Sequence, residues 1–257
     1  MPLLDILQRA LEPLPLRGKG RLAEQILRRS KTKELSCRPL NGLRISLRRS
    51  QRIERLMWAG AYERELVALL KKTVKPGMTV IDVGANIGYI AAIAARLVGP
   101  EGRVHAFEPN PDCYARLTMN LAALPHAHSY RMAVSDFCGT LPLYLSENTE
   151  EDGWASLLKD HSVTRRTIDV AVTTIDVFAA RFSVQKVHFI KLDVEGNEVH
   201  ALRGAQHVIA RDHPRIAAEL NPHCLARDNA KPSDVLDFLT SFGYSIRDLD
   251  GSNIFAV

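Results

Sequence analysis

Residues 79–109, which read TVIDVGANIGYIAAIAARLVGPEGRVHAFEP, decide the fold. Thr79–Val83 is a short apolar run of the kind found in buried parallel strands. The glycine-bounded turn Gly84–Gly88 follows it, and Tyr89–Leu97 is alanine-rich and apolar on nearly every side, as expected of a helix packed against a sheet. Arg103–Phe107 is then a second strand. This stretch predicts a strand–helix–strand unit with a turn at the carboxyl end of its first strand.

The alternation of helices and strands continues on both sides of this unit. Strands that alternate with helices predict a doubly wound, mostly parallel α/β sheet whose ligand binds at the carboxyl ends of the strands. The turn signal Asp250–Asn253 predicts a terminal hairpin, and therefore one antiparallel strand. The other predicted elements are helices over Glu63–Lys72, at Tyr114, Leu117 and Leu121, after the capping residue Thr174, over Asn197–Ala210 and over Ser233–Phe242, and strands at Ser129–Val134, Leu141–Leu145, Ile168–Val172, His188–Leu192, Arg215–Glu219, Tyr244–Asp248 and Ile254–Val257.

The charge of the chain is unevenly distributed. The net charge of +5 at neutral pH combines +11 in residues 1–75 with −6 in the remainder. We therefore divide the chain into a basic, mainly helical N-terminal extension, residues 1–57, and a main domain, residues 58–257. The elements predicted in the extension are helices at Leu3–Leu11 and Leu22–Arg29 and a strand at Leu43–Leu47.

The extension has several candidate roles. We expect a cap that packs on the main domain or on a second subunit, which would make a homo-oligomer. A basic helical segment could instead contact an anionic membrane surface or a nucleic acid. Almost no aromatic residues are interleaved with the basic ones, which disfavours nucleic acid as a partner.

The chain carries no recognisable targeting segment. No apolar run reaches the roughly 18 residues that a transmembrane helix needs, and residues 1–20 mix charges and prolines into their apolar positions, unlike a signal peptide. We therefore expect a cytoplasmic protein. The four cysteines have no paired spacing, so we expect reduced thiols and no dedicated metal site.

The turn and the end of the second strand together predict a nucleoside-containing cofactor. Glycine allows a ligand to approach the backbone closely at Gly84, and the helix that follows offers unpaired N–H groups to a carboxylate. Glu108 closes the next strand, 24 residues after Gly84, where its carboxylate can accept hydrogen bonds from both hydroxyls of a ribose. Asn86 stands where a dinucleotide fingerprint has its middle glycine, so a dinucleotide is disfavoured and a phosphate-free methyl donor is favoured.

Several segments spread along the main domain form a recognisable set of motifs: Gly60–Glu63, Pro76–Gly88, Phe107–Pro109, Ala133–Asp136 with Gly139, Ile190–Glu198 and Leu202–Ala205. In these segments, from about Gly60 to the C-terminus, the sequence resembles the FkbM family of methyltransferases. The resemblance implies a Rossmann-like sheet of seven strands, S-adenosylmethionine as the cofactor, and methylation of a hydroxyl on a sugar, a glycan or a natural-product acceptor. It does not cover residues 1–57.

The resemblance also implies roles for individual residues. The turn would face the methionine part of the cofactor, Glu108 its ribose, and Ser135 or Asp136 its adenine, with Tyr62 and Glu63 at the pocket edge. The residues expected at the cofactor are Tyr62, Glu63, Asp82, Gly84, Ala85, Asn86, Gly88, Glu108, Ser135, Asp136 and Asp193.

Candidate catalytic groups follow the later strands. Removing the proton of an alcohol calls for a general base, and the candidates are Asp193, Glu195, Glu219 and His223. Asp193 could instead cap the next helix, and the three carboxylates could bind a divalent ion such as magnesium. The histidine could equally be a solvated loop residue.

The segment Glu147–Arg166 is predicted to be a lid or an acceptor-binding wall, because it is long and lacks periodicity. Trp154 in it could stack on a sugar or anchor packing, and His161 is a further candidate base. Two other functions stay open: an RNA or protein methyltransferase that docks through the basic extension, and a non-catalytic module that binds the cofactor.

Overall fold

The computed structural model describes residues 2–11, 18–40, 43–146, 155–158 and 165–257. No helix among these residues combines the length and the apolar composition that a bilayer crossing requires. The helices are α1 (Pro2–Leu11), α2 (Lys19–Arg28), α3 (Arg52–Trp58), α4 (Arg64–Thr73), α5 (Tyr89–Val98), α6 (Pro111–Leu121), α7 (Ile175–Arg181), α8 (Glu198–Arg203), α9 (Gln206–Asp212), α10 (Pro222–Leu225) and α11 (Pro232–Ser241). The strands are β1 (Glu34–Cys37), β2 (Ile45–Arg48), β3 (Thr79–Val83), β4 (Arg103–Phe107), β5 (Ala127–Tyr130), β6 (Ala133–Val134), β7 (Gly139–Ser146), β8 (Ala155–Ser156), β9 (Arg165–Thr173), β10 (Phe189–Leu192), β11 (Arg215–Glu219), β12 (Ile246–Asp248) and β13 (Asn253–Ala256).

The central sheet has seven strands in the order β12–β13–β11–β10–β3–β4–β5. The neighbours from β11 to β5 are parallel, and β13 runs antiparallel to both of its neighbours. This arrangement confirms the predicted Rossmann-like sheet of seven strands with an antiparallel strand at its C-terminal hairpin. In the pairing of β3 with β10, Asp82 lies opposite Lys191, a register that matters for the site below.

A hydrophobic core covers each face of this sheet. Because successive strand residues point to opposite faces, Val80 and Phe189 join the core under α4, α5 and α6. Ile81 and Ile190 join the core under α7, α8, α9 and α11. Both faces are thus covered, and ligands can reach the parallel strands only at their ends.

The predicted strand Ser129–Val134 is wrong as a single element. β5 ends at Tyr130 and belongs to the central sheet, whereas β6 pairs in parallel with β9 in a second sheet of order β6–β9–β7–β8. The predicted strands Leu141–Leu145 and Ile168–Val172 are present as the antiparallel pair β7 and β9, and both are longer than predicted. The chain therefore leaves the central sheet directly after β5 and builds a wall beside its carboxyl edge.

The predicted helix Asn197–Ala210 is two helices, α8 and α9. The break falls at Gly204, where a Cβ would lie 2.0 Å from the backbone oxygen of Ser135. The carboxylate of Asp176 then accepts the backbone N–H groups of His207 and Val208 at 3.0 and 2.9 Å, which supplies partners for the start of α9. Contacts from distant parts of the chain, invisible in the local apolar pattern, cause the break.

The N-terminal extension packs on the main domain. Its residues Ile45, Leu47 and Met57 are fully buried and share the hydrophobic core of α5 and α6. Glu54 forms a buried ion pair with Arg116 of α6, with Nη2 2.6 Å from Oε2. β1 and α3 were not predicted from the sequence, because short amphipathic segments among many arginines give little periodic signal.

Candidate functional site

Five segments that follow neighbouring strands meet at the carboxyl edge of the sheet. The strand order places Glu219 at the end of β11, then Asp193 after β10, Gly84 after β3, Glu108 after β4 and Met132 after β5. Adjacent strands are about 4.8 Å apart. Residues that are far apart in the chain therefore form a row along one edge, with acidic groups at one end and an apolar wall at the other.

Gly84 lies where two backbones approach each other most closely. Its φ is +75°, in the left-handed region that favours glycine, and a Cβ would lie 1.7 Å from the carbonyl oxygen of Asp193. The following Asn86 also has a positive φ, +51°. The turn is thus a tight bend held against the segment after β10.

Glu108 is held by the backbone on both of its oxygens. The N–H of Asn86 donates to Oε2 and that of Asn110 donates to Oε1, each at 2.8 Å. The side chain is 7% exposed, and burial raises its pKa to about 7 in spite of these bonds. Each carboxylate oxygen has a second lone pair, so Glu108 can accept two further hydrogen bonds from a ligand.

Lys191 is a buried cation beneath the floor of the site. Its Nζ donates to the backbone oxygen of Gly84 at 2.9 Å and lies 3.2 Å from Asp193 Oδ2 and 3.5 Å from Asp82 Oδ1. Burial alone would lower the pKa of Lys191, but these two carboxylates outweigh it and raise the pKa. The ammonium therefore stays charged and links β3 to the segment after β10.

Acidic side chains crowd the end of the row at β10 and β11. One ligand oxygen from each of Asp193, Glu195 and Glu219 lies within 4.8 Å of the others, a spacing that oxygen ligands of a divalent cation can adopt. Burial and the neighbouring Asp193 raise the pKa of Glu219 to about 9 and that of Glu63 to about 7. These carboxylates are close enough to oppose each other's ionisation.

A cleft runs along the whole row. It contains about 990 Å³ of empty space, including the part open to solvent. Its acidic end includes Asn221 and Tyr62 beside the carboxylates. Its other end is apolar and is lined by Phe107, Pro109, Met132, Val134, Leu143 and Leu157.

Comparison with known proteins identifies the family. Residues 82–246 match the sequence profile described as "Methyltransferase FkbM domain", which is more than half of the chain. The chain belongs to this family. The resemblance inferred from the motifs is therefore confirmed.

Individual relatives are similar over part of their length. Hexuronic acid methyltransferase AglP of Haloferax volcanii is 31% identical over 143 residues, covering 55% of this chain and 56% of AglP. The 31-O-demethyl-FK506 methyltransferase FkbM of Streptomyces tacrolimicus is 30% identical over 175 residues, covering 56% and 64%. The crystal structure of methyltransferase FkbM from Methylobacillus flagellatus aligns with a TM-score of 0.48 at 15% identity, covering 93% and 59%. The chain spans less than two thirds of each of these proteins.

The structure brings together most of the residues that the sequence, through strand positions and the resemblance to the FkbM family, predicted at the site. The predicted residues that line the cleft are Tyr62, Glu63, Gly84, Asn86, Glu108, Asp193, Glu195 and Glu219. The alternative role of Asp193 as a helix cap is wrong, because α8 begins at Glu198, whose own carboxylate accepts the N–H groups of Val194 and Gly196. Asp193 is thus free to face the cleft.

Three residues predicted at or just before the glycine turn lie behind the cleft wall, namely Asp82, Ala85 and Gly88. The side chain of Asp82 is fully buried, with Lys191 between it and Asp193, and burial raises its pKa. Ala85 is 4% exposed. Gly88 precedes α5 and packs on Leu117, whose Cδ1 would be 2.7 Å from a Cβ. These residues therefore support the shape of the turn from behind the cleft wall.

Ser135, Asp136 and His223 also lie outside the lining of the cleft. Ser135 is buried, and its N–H donates to the backbone oxygen of Thr173 at 3.0 Å. Asp136 Oδ2 lies 2.7 Å from His200 Nδ1, and the other ring nitrogen lies 2.7 Å from Asp228 Oδ2. Met132, Ala133 and Val134 line the cleft at this point instead. His223 is exposed on α10, and Trp154 and His161 lie outside the described residues.

Sequence reasoning missed four functional positions. Lys191 interrupts an apolar strand, which was a usable signal, because a buried lysine needs a partner. Asn221 precedes a proline, as helix caps often do, and its Oδ1 accepts the N–H groups of His223 and Cys224. No comparable signal marks Met132 or Ile53, which line the cleft through tertiary packing.

The raised pKa of Glu219 predicts how stability depends on pH. The folded protein keeps this proton up to about pH 9, whereas the unfolded chain releases it near the ordinary value of about 4.3. The free energy of unfolding therefore falls as pH rises through this window. Glu219→Gln removes that loss, so its stability relative to the parent should rise by about 1–3 kcal/mol from pH 5 to 9, after discounting for partial exposure.

Urea denaturation of both proteins across this pH range measures the difference. Glu101→Gln is the control, since Glu101 is exposed and precedes β4 at the opposite edge of the sheet. Its stability relative to the parent should not change with pH. If the stability of Glu219→Gln relative to the parent also did not change with pH, Glu219 would already be ionised at neutral pH.

Proposed function

We propose that this chain is an S-adenosylmethionine-dependent methyltransferase that methylates a hydroxyl group of a sugar or natural-product acceptor. The observation that carries the proposal is Glu108, a carboxylate on the cleft wall that two backbone N–H groups hold beside the bend at Gly84. Membership of the FkbM family supports the reaction class. The names of two relatives, which act on a hexuronic acid and on 31-O-demethyl-FK506, support the acceptor class.

The row of side chains fits the parts of this cofactor in order. The free lone pairs of Glu108 would accept the two ribose hydroxyls. The apolar end, with Phe107, Met132 and Val134, would hold the adenine ring. The bend from Gly84 to Asn86 would hold the amino-acid part, which directs the sulfur towards Asp193. When bound, the cofactor supplies a methyl group on a positively charged sulfur, and the carboxylates favour that charge.

The acidic end of the cleft would bind the acceptor and remove its proton. During the reaction the acceptor hydroxyl would lose its proton to a carboxylate at this end of the cleft. Glu219 is the proposed base in its ionised form: because its pKa is raised to about 9, the carboxylate takes up a proton readily, and the ionised fraction grows as pH rises towards 9. Asp193, held by Lys191, would orient the hydroxyl. Alignment of the reactants can contribute roughly 7–11 kcal/mol.

Cofactor binding tests this proposal through Glu108. S-adenosylhomocysteine at about 100 times its Kd should stabilise the parent by about 2.7 kcal/mol, or roughly 5–10 °C in Tm. Glu108→Gln replaces one acceptor oxygen with an N–H donor that faces the N–H groups of Asn86 and Asn110. We expect Kd to rise at least tenfold and most of the Tm shift to disappear, as measured by differential scanning fluorimetry and calorimetry.

The matched control is again Glu101→Gln, which should keep the full shift. A full shift in Glu108→Gln would remove Glu108 from the ribose role. Binding without transfer of a labelled methyl group into an extract of the source cell would favour a non-catalytic module over an enzyme.

We also propose that residues 1–57 act as a cap of the cleft. Ile53 of α3 lines the cleft, and the buried pair of Glu54 with Arg116 holds α3 in place. Contact with an anionic membrane surface and self-association of the chain stay predictions from the sequence.

A further inference from the structure

The charged side chains that line the cleft are all acidic. Five carboxylates face it: Glu63, Glu108, Asp193, Glu195 and Glu219. Among the residues that the structure describes, the lining includes no lysine, arginine or histidine. A ligand that enters the cleft therefore meets acidic groups from several sides, and an anionic ligand would be repelled by those that are ionised, more strongly in the low dielectric of a half-buried site than in water.

Lys191, a buried cation beneath this surface, is already paired with groups of the protein. Its Nζ donates to the backbone oxygen of Gly84 and forms ion pairs with Asp193 Oδ2 and Asp82 Oδ1. It is 6% exposed. An anionic acceptor could pair with Lys191 only by displacing a carboxylate that is already in place.

The acidic groups already oppose one another before a ligand binds. Burial, followed by the charge of Asp193, raises the pKa of both Glu63 and Glu219. A further negative charge would add to this repulsion, whereas a positive charge would relieve it.

The two segments on either side of the described residues 155–158 also carry a net negative charge. Residues 147–154 and 159–164 together contain five acidic residues and one lysine. With His neutral, these segments therefore have a net charge of −4.

From this lining, and resting on the proposed methyltransferase function, we propose that the acceptor is a neutral or positively charged hydroxyl compound, such as an unmodified or amino-bearing sugar. The acidic lining would exclude, as acceptors, compounds that carry a carboxylate or phosphate near the reacting hydroxyl. The acceptor therefore differs in charge class from the hexuronic acid in the name of the relative AglP.

The test transfers a labelled methyl group from S-adenosylmethionine into the small-molecule fraction of the source cell, using the full chain, and separates the products by ion exchange at pH 7. Most of the label should appear in products that an anion exchanger does not retain. Label that is mainly in retained, anionic products would overturn the proposed acceptor class while leaving the methyltransferase intact. Complete absence of labelled product would overturn the proposed function and the acceptor class with it.

Competition provides a second readout from the same reaction. Glucosamine should inhibit the labelling at a concentration at least tenfold lower than glucuronic acid. Adding 0.5 M NaCl should narrow this gap between the two inhibitory concentrations, because salt screens the carboxylates. Glu63→Gln should narrow it at least threefold, whereas Glu65→Gln, an exposed residue of α4 outside the cleft lining, should leave it unchanged. Equal inhibition by the two sugars, or stronger inhibition by glucuronic acid, would contradict the proposed charge preference.

Discussion

Gly84→Ala is expected to destabilise the protein by about 2–5 kcal/mol and to abolish binding of S-adenosylhomocysteine. The backbone there has a φ of +75°, which costs an L-residue about 1–2 kcal/mol. The added methyl would also lie 1.7 Å from the carbonyl oxygen of Asp193, and relief of such overlap in a packed interior costs about 1–3 kcal/mol more. Because the bend and the segment after β10 must move apart, the proposed seat of the cofactor's amino-acid part is lost.

Gly77→Ala separates the two causes of destabilisation, the positive φ and the overlap with a neighbouring backbone. Gly77 has nearly the same backbone conformation, with a φ of +82°, but a Cβ there meets nothing within 4 Å. This variant should lose only about 1 kcal/mol and keep its ligand-induced Tm shift. Urea denaturation and differential scanning fluorimetry measure both effects. If Gly84→Ala were as mild as Gly77→Ala, the close contact with Asp193 would not constrain the bend.

Glu54→Ala is expected to destabilise the protein by about 3–5 kcal/mol, because it leaves the guanidinium of Arg116 buried without its partner. Glu54 is 4% exposed and Arg116 is 8% exposed, so water cannot easily replace the lost carboxylate. The double variant Glu54→Leu with Arg116→Met removes both charges and should recover most of the lost stability. Denaturation of Glu54→Leu, of Arg116→Met and of the double variant gives the coupling energy directly.

A second ion pair in the same region serves as the control. Arg55 Nη2 lies 3.7 Å from Glu24 Oε1, and both side chains are partly exposed. Glu24→Ala should therefore cost less than about 1 kcal/mol. Additive effects of the two single substitutions at Glu54 and Arg116 would show that the buried pair contributes no coupling.

The sequence predicts elements well where local signals decide them. Thr79–Val83, Arg103–Phe107 and Arg215–Glu219 have the predicted bounds, because each apolar run ends at a glycine, a charge or a proline. The prediction fails where a contact with a distant part of the chain determines where an element ends. An example is the break at Gly204, which packs against the backbone of Ser135. Local patterns do not contain such contacts.

The same distinction applies to the candidate site. Glu108 is predictable because the end of a parallel strand fixes its position relative to the glycine turn. Asp82 lies in β3, two residues before that turn, but it points into the interior, since its register places it against Lys191. Which of two neighbouring carboxylates faces a ligand depends on the pairing of β3 with β10, and the sequence does not state that pairing.

The contribution of α3 to the cleft bears on how this protein could be shortened. A chain beginning at residue 58 would lack Ile53 from the cleft wall and would strip Arg116 of its carboxylate partner. Such a truncated protein should aggregate or expose the apolar surface of α5 and α6 to solvent. The boundary between extension and main domain is therefore a change in composition, and the smallest independently folding unit includes residues on both sides of it.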